Sequence, residues 1–278
     1  MGIEAIVLGS GQDGGAPQFG SSTRRGSART ASSIAVRSST GALVLLDVTP
    51  DLRMQWQRLD GLGWVSNGTD DLAAIAITHG HMGHYAGLVH LGKEAANVSG
   101  LPTVALPSVH AFLHGNEPWG TLYSAGHLTP HDATAPFRVD DEVTIAAIRV
   151  PHRAEFTATA AFSVRVAGVP WLLYLPDIDA WDEWDEAQDV IGEHQISLVD
   201  ATFSSPDELP GRDIGSIRHP LVADTVDRFA TLTGDRRIVL THLNHSNPVT
   251  ESDSDIARTA AWAGFEVAFD GMRFEGGT

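Results

Sequence analysis

The sequence predicts one α/β domain, and three observations predict it. Strand-like apolar runs dominate the first half of the 278 residues and alternate with helical patterns in the second half. Hydrophobic residues make up 42% and charged residues 19%, the balance of a soluble globular protein with a sizeable core. No low-complexity linker divides the chain, and no repeat recurs at the roughly 20–50 residue periods of solenoids.

Taken in order, Ile3 to Leu8 reads as a first strand ended by Gly9-Ser10-Gly11, and a loop rich in Gly, Ser and Arg runs on to Thr30. Ser32 to Arg37 and Ala42 to Asp47 form a predicted hairpin around Ser39-Thr40-Gly41. Pro50 to Leu59 is helical in pattern, with Pro50 tolerated in a first turn. Leu72 to Thr78 is a continuous apolar strand, Tyr85 to Ala96 a helix, and Pro102 to Leu106 a strand. The stretch 107–136 reads as an irregular, histidine-rich insertion with a helix from Ser108 to Leu113. Strands are expected at Val143 to Val150, Ala160 to Val166 and Trp171 to Leu175, the last two joined by a turn at Gly168-Val169-Pro170. Trp181 to Glu193 predicts a helix with an acidic, solvated face. Late strands at Ile196 to Ala201, Arg237 to Thr241 and Phe265 to Phe269 are separated by helices near Leu221 to Leu232 and Asp253 to Ala263.

Composition bounds the chemistry. The 35 acidic against 18 basic side chains give a net charge of −17, which argues against a phosphate-tracking nucleic-acid surface. With no cysteine, thiolate zinc sites, iron–sulfur clusters and cysteine nucleophiles are excluded, so any metal site draws on the 13 histidines and on carboxylates. No apolar stretch reaches the roughly 18–20 residues of a membrane span, and Met1 to Ser10 carries no basic leader, so a cytoplasmic location is expected.

Thr78-His79-Gly80-His81-Met82-Gly83-His84 follows directly on an apolar strand. Residues two apart in an extended segment point the same way, so His79 and His81 can share one face, with His84 in the next turn. Gly80 and Gly83 disfavour a continuous helix and allow tight backbone around an ion. Other candidate donors also stand where strands end: His152, Asp177 and His242. Ligands collect at the carboxyl ends of strands in open α/β architectures, so these residues can converge although distant in sequence.

This order of features, with Asp47 after an early strand, resembles the metallo-β-lactamase superfamily over nearly the whole chain. Three segments are most similar to its pyrroloquinoline-quinone biosynthesis protein B branch: Leu8 to Gln18, Val199-Asp200-Ala201-Thr202-Phe203, and Thr241 to Pro248. The resemblance implies a four-layer αββα sandwich holding one or two divalent ions, zinc first, with manganese or iron as alternatives. It implies that His79, His81 and His152 hold a first metal, that Asp177 bridges to a second, and that His84 and His242 bind that second ion. Asp47 would orient ligand imidazoles by hydrogen bonds. The superfamily's H-x-H-x-D-H pattern has Gly83 in place of its aspartate, which predicts a weakened second site. His245 or Asp179 is a candidate substitute, and Asp13, Asp179 and His245 are further candidates for supporting the ligands or meeting substrate.

The reaction implied is hydrolysis of an ester or phosphodiester-type small molecule by metal-bound hydroxide. Asp177 would accept or orient the proton, and His219, in Ile217-Arg218-His219-Pro220, would donate one to the leaving group. Arg24 and Arg25 are candidates to meet an anionic substrate or to pair with surface carboxylates. The histidines His110, His114, His127 and His131 either line a pocket with Trp119 and Tyr123 or face solvent. Two alternatives stand beside hydrolysis. One is the iron-dependent hydroxylation that the resembled branch includes; the other is a non-catalytic metal-stabilised binding protein, to be probed by aspartate at Gly83. Expected partners are a small-molecule substrate and, as an assembly, a homodimer; neither membrane nor nucleic acid is expected.

Overall fold

The structure is a computed structural model describing residues 2–21, 25–209, 211 and 217–276. The first half of the chain builds β1 (Ile3–Gly9), β2 (Ser33–Arg37), β3 (Leu43–Leu46), β4 (Leu72–Ile77), β5 (Leu101–Ala105) and β6 (Leu128–Asp132). The second half builds β7 (Phe137–Arg138), β8 (Val143–Val150), β9 (Thr159–Val166), β10 (Val169–Leu175), β11 (Ile196–Asp200), β12 (Arg237–Thr241), β13 (Glu266–Val267) and β14 (Arg273–Gly276). Two seven-stranded sheets result, ordered β14-β1-β2-β3-β4-β5-β6 and β13-β12-β11-β10-β9-β8-β7.

Side-chain alternation explains the layers. Val44, Leu46, Ala74 and Ala76 face inward onto Phe162, Leu172, Tyr174, Leu198 and Val239 of the other sheet. Their neighbours Leu43, Leu45, Ile75 and Ile77 face outward beneath α1 (Leu52–Gly61), α2 (Met82–Tyr85), α3 (Pro107–His114) and α4 (Trp119–Ser124). On the second sheet, Leu173, Leu175, Val199, Ile238 and Leu240 lie beneath α5 (Ala187–Glu193), α6 (Val222–Phe229) and α7 (Asp255–Trp262). Central strands covered on both faces read as unbroken apolar runs. This is the αββα sandwich.

Strand direction positions the site. β3, β4, β5 and β6 are mutually parallel, as are β10, β11, β12 and β13. β8 and β10 run the same way because each is antiparallel to β9. The carboxyl ends of β3, β4, β8, β10, β11 and β12 therefore carry Asp47, Thr78 to His84, His152, Asp177, Asp200 and His242.

Several local expectations change. The predicted helix from Tyr85 to Ala96 is instead the short α2 and a 3-10 segment, Ala86–Leu91. Val48 N–H donates to the His84 carbonyl (2.8 Å) and Gly87 N–H to the Val48 carbonyl (3.0 Å), diverting backbone groups from an i→i−4 ladder. The stretch 107–136 is ordered rather than irregular, containing α3, α4 and β6. β6 escapes its apolar pattern because it is largely exposed and contains Pro130, an edge-strand residue. The acidic helix is broken: Trp184 is extended, so that both Trp181 and Trp184 are buried ahead of α5. The β9–β10 turn falls one residue early, at Ala167-Gly168, both with positive φ (48° and 83°) as a two-residue hairpin requires. β14 carries no apolar run in the sequence, since only Phe274 of its alternating Arg273-Phe274-Glu275 turns inward. Among the described residues no helix is long and apolar enough to cross a membrane.

Phe162 is fully buried between the sheets. Phe162→Ala is expected to lower unfolding free energy by about 3–5 kcal/mol, read from the midpoint of a urea titration at unchanged slope.

Candidate metal centre

The strand ends assemble one buried cluster. Gly80 N–H is held by Thr157 Oγ1 (2.9 Å), which turns the motif so that His79 Nε2 stands 2.8 Å from His81 Nδ1. His152, leaving β8, brings its Nε2 to 3.3 Å from His81 Nδ1. These three form a first donor group. His84 Nε2 lies 3.0 Å and His242 Nε2 3.3 Å from Asp177 Oδ2. The other oxygen, Asp177 Oδ1, is 3.6 Å from His152 Nε2. Asp177 thus stands between the first group and a second one.

The motif's missing carboxylate has a neighbour in its place. Asp13, in the loop after β1, sets Oδ1 3.2 Å from His84 Nε2 and 3.8 Å from His242 Nε2. His245 joins no donor group among the described residues, and Asp179 sits behind His152, with Oδ1 3.1 Å from its Nδ1. Neither stands in the second donor group among the described residues. An aspartate at position 83 would not fit there either, because a Cβ at Gly83 would lie 2.1 Å from Asp13 Oδ1.

A further layer orients the imidazoles. Asp47 is fully buried and accepts from Thr78 N–H (2.8 Å), Thr78 Oγ1 (3.0 Å) and the Tyr174 hydroxyl (3.1 Å). Its Oδ2 is 2.7 Å from His84 Nδ1, which turns His84 Nε2 toward Asp177. Thr202 Oγ1 lies 2.9 Å from His242 Nδ1 and donates to Asp200 Oδ1 at 2.7 Å. Asp47 and His242 have φ of 65° and 58°, an uncommon conformation for residues with a Cβ and one that concentrates at functional sites. Asp200, Thr202 and Tyr174 escape a search for donors because they touch donors only after folding. The one local signal was Asp200-Ala201-Thr202 directly after an apolar run.

The electrostatics are those of an anionic cavity. Burial opposes a charge on His84, but Asp47 and Asp177 hold its pKa well above the usual histidine range. Burial likewise opposes ionisation of Asp177, but His242 and His84 hold its carboxyl well below the usual range. His79 is driven well below its ordinary value by burial and then by the neighbouring His84, leaving a neutral imidazole lone pair. Such a set can hold cations.

A family model described as the beta-lactamase superfamily domain matches residues 43–243, spanning every donor above except Asp13. The chain belongs to that superfamily. Within it, the chain is 25% identical over 305 residues to the coenzyme PQQ synthesis protein B of Ruegeria pomeroyi, covering 97% of this chain and 99% of the relative. It is 28% identical over 314 residues to the protein of the same name from Gluconacetobacter diazotrophicus, covering 98% and 99%. The crystal structure of Zn2+-bound PqqB from Methylobacterium extorquens superposes with a TM-score of 0.82 at 21% identity, covering 98% of this chain and 99% of that one. A diphosphatase from the PhnP family follows the same fold with a TM-score of 0.69 at 22% identity, covering 99% and 97%.

The insertion histidines and Arg25 have local partners. His110 lies 3.3 Å from the Tyr123 hydroxyl, His114 stacks on Tyr123, and His127 Nδ1 is 2.7 Å from the Val98 carbonyl. His131 packs against Phe137, and Trp119 against Tyr85. None of these four histidines joins a donor group among the described residues. Arg25 pairs with Glu251 at 2.8 Å, and Arg24 lies outside the described residues.

Tyr174→Phe removes one donor to Asp47 while keeping the ring in the inter-sheet layer. The expected loss is about 1.5–3 kcal/mol of stability, the range for a hydrogen bond to a charged group, measured by chemical denaturation.

Proposed function

We propose that the protein is a metal-dependent hydrolase of a small-molecule ester or phosphodiester, using two divalent ions, zinc first. One observation carries this reading: two donor groups meet at Asp177 with ligand-like spacing. Atoms bonded at about 2.0 Å to one tetrahedral ion stand about 3.3 Å apart. His84 Nε2, His242 Nε2 and Asp177 Oδ2 lie 3.0–3.3 Å apart in the pairs quoted, yet are buried without a hydrogen-bond partner among the described residues. Buried polar atoms left in this way call for a ligand, and an imidazole–carboxylate set fits a divalent ion.

In this reading His79, His81 and His152 hold the first ion, and His84 and His242 hold the second. Asp177 lies between the two. Bound ions of this kind supply a nucleophile at neutral pH and offset charge developing on the substrate. Asp177 would orient that nucleophile by accepting a hydrogen bond from it. His219 is the proton donor to the leaving group. Its Nδ1 is fixed 2.7 Å from Asp200 Oδ2, while its Nε2 is buried without a partner among the described residues. Burial opposes its charge, but Asp200 raises its pKa above the ordinary value, which favours the protonated, donating form.

The cleft beside His219 is lined by Asp179, Asp182, Asp224 and Asp227, with Arg228. That field repels polyanions, so a neutral ester or singly charged diester matches better than a polyphosphate. The relatives named for coenzyme PQQ synthesis support a role in cofactor synthesis, and a second reading is an oxidative step of such a synthesis, run by a single iron at the same site.

Native protein is expected to carry two zinc or manganese ions and to turn over bis(p-nitrophenyl) phosphate or a p-nitrophenyl ester. Chelation or His79→Ala should reduce the rate at least a hundredfold. One iron with oxygen consumption and no hydrolysis would replace hydrolysis by the oxidative reading, and no turnover with any ion would leave a binding protein. His219→Ala is expected to slow alkyl-leaving-group substrates by about 10²–10⁴-fold and p-nitrophenolate esters far less, because that anion departs without a proton. Equal losses for both leaving groups would remove His219 as the donor.

A further inference from the structure

We propose that the second ion's missing carboxylate is supplied from elsewhere in the chain: Asp13, in the loop after β1, takes the place of a side chain at position 83, and Gly83 is glycine to make room for it. This rests on His84, Asp177 and His242 holding a second ion.

Three independent features carry it. The first is space. A Cβ on Gly83 would lie 2.1 Å from Asp13 Oδ1, 2.6 Å from its Cα and 2.8 Å from its Cγ, so the volume of a residue-83 side chain is already filled by Asp13. Gly83 has no positive φ to explain a glycine, and close approach is the remaining reason.

The second is convergence. Asp13 Oδ1 is inaccessible and has no hydrogen-bond partner among the described residues, although His84 Nε2 and His242 Nε2 are 3.2 and 3.8 Å away. Those two nitrogens, on side chains only 1% exposed, are also unpartnered. Three buried donor atoms thus converge at ion-pair distance without a hydrogen bond among the described residues. A carboxylate serving only as a hydrogen-bond support would instead be satisfied, as Asp47 is by Thr78 and Tyr174.

The third is anchoring. The segment that carries Asp13 is hydrogen-bonded to the segment that carries His242. Leu243 N–H donates to the Ser10 carbonyl (2.9 Å), Gln12 N–H to the Leu243 carbonyl (3.0 Å), and Asn244 Nδ2 to Gln12 Oε1 (2.5 Å). A tight turn from the Gln12 carbonyl to Gly15 N–H (2.6 Å), with Gly15 at φ 64°, then aims Asp13 inward. Position 13 is therefore fixed by hydrogen bonds on both sides of it. The ligand set survives although its sequence signature does not.

The test is metal stoichiometry and affinity, read by zinc titration calorimetry and elemental analysis on the full chain, independent of any substrate. Wild type is expected to bind two zinc ions. D13N should keep one tight ion and weaken the second at least tenfold, since a neutral amide replaces a charged donor. D13G should do the same. G83D alone should fail to improve the second site because both side chains claim one space. The proposal is overturned if D13N or a folded D13G protein binds the second ion as wild type does. If D13G does not fold, the near-isosteric D13N decides. If wild type binds a single ion and D13N changes nothing, the ligand exchange is wrong, while hydrolysis on one metal stands. Two ions with the expected D13N loss but no hydrolysis would fail the functional reading and leave the ligand exchange intact.

Discussion

A buried carboxylate shared by imidazoles is the interaction on which the site is organised. Asp177 is 2% exposed, and its two oxygens lie within 3.0–3.8 Å of nitrogens from His84, His152, His219 and His242. Removing a carboxylate from water costs several kcal/mol unless positive or donor groups surround it. Four such groups arrive from α2, from the end of β8, from the end of β12 and from the approach to α6. Parallel strand direction in both sheets is what brings those ends to one edge.

Asp47 transmits that constraint to the rest of the sandwich. It stands at the end of β3 in the first sheet, yet accepts from Tyr174 of β10 in the second, and it faces His84 directly. The two sheets are thus tied by a polar contact at the edge as well as by the apolar layer between them. Left-handed backbone at Asp47 and His242 shows where strand geometry yields to side-chain aim. The ordering of His84 and of the inter-sheet edge is one problem with one solution.

Gly83 illustrates how a motif can mislead when read alone. As a letter in a six-residue pattern it signals a lost ligand. In three dimensions it marks a neighbour, because the absent side chain leaves room for Asp13, 70 residues earlier in the numbering. The breaks in the predicted helices have the same origin. The segment after His84 leaves the helical ladder because Val48 and Gly87 bond across it, and the acidic segment breaks at Trp184 because two tryptophans need burial.

The sequence by itself determined the α/β class, since strand-like and helical patterns are local properties of neighbouring residues, whereas the four-layer sandwich was only what the superfamily resemblance implied. It also determined the chemical type of the centre. With no cysteine and a triple-histidine run at a strand end, imidazole and carboxylate were the donors left. His79, His81, His84, His152, Asp177 and His242 stand out as candidates because each lies within two residues of a strand end or sits in that run. Only the tertiary structure decided that Asp13 stands among them, that Asp179 lies behind His152, that His245 stays apart, and that Asp200 and Thr202 hold His219 and His242. Those assignments depend on distances between segments far apart in the chain. Pattern within a segment carries no record of such distances, because they arise only when the strands pair and the sheets pack.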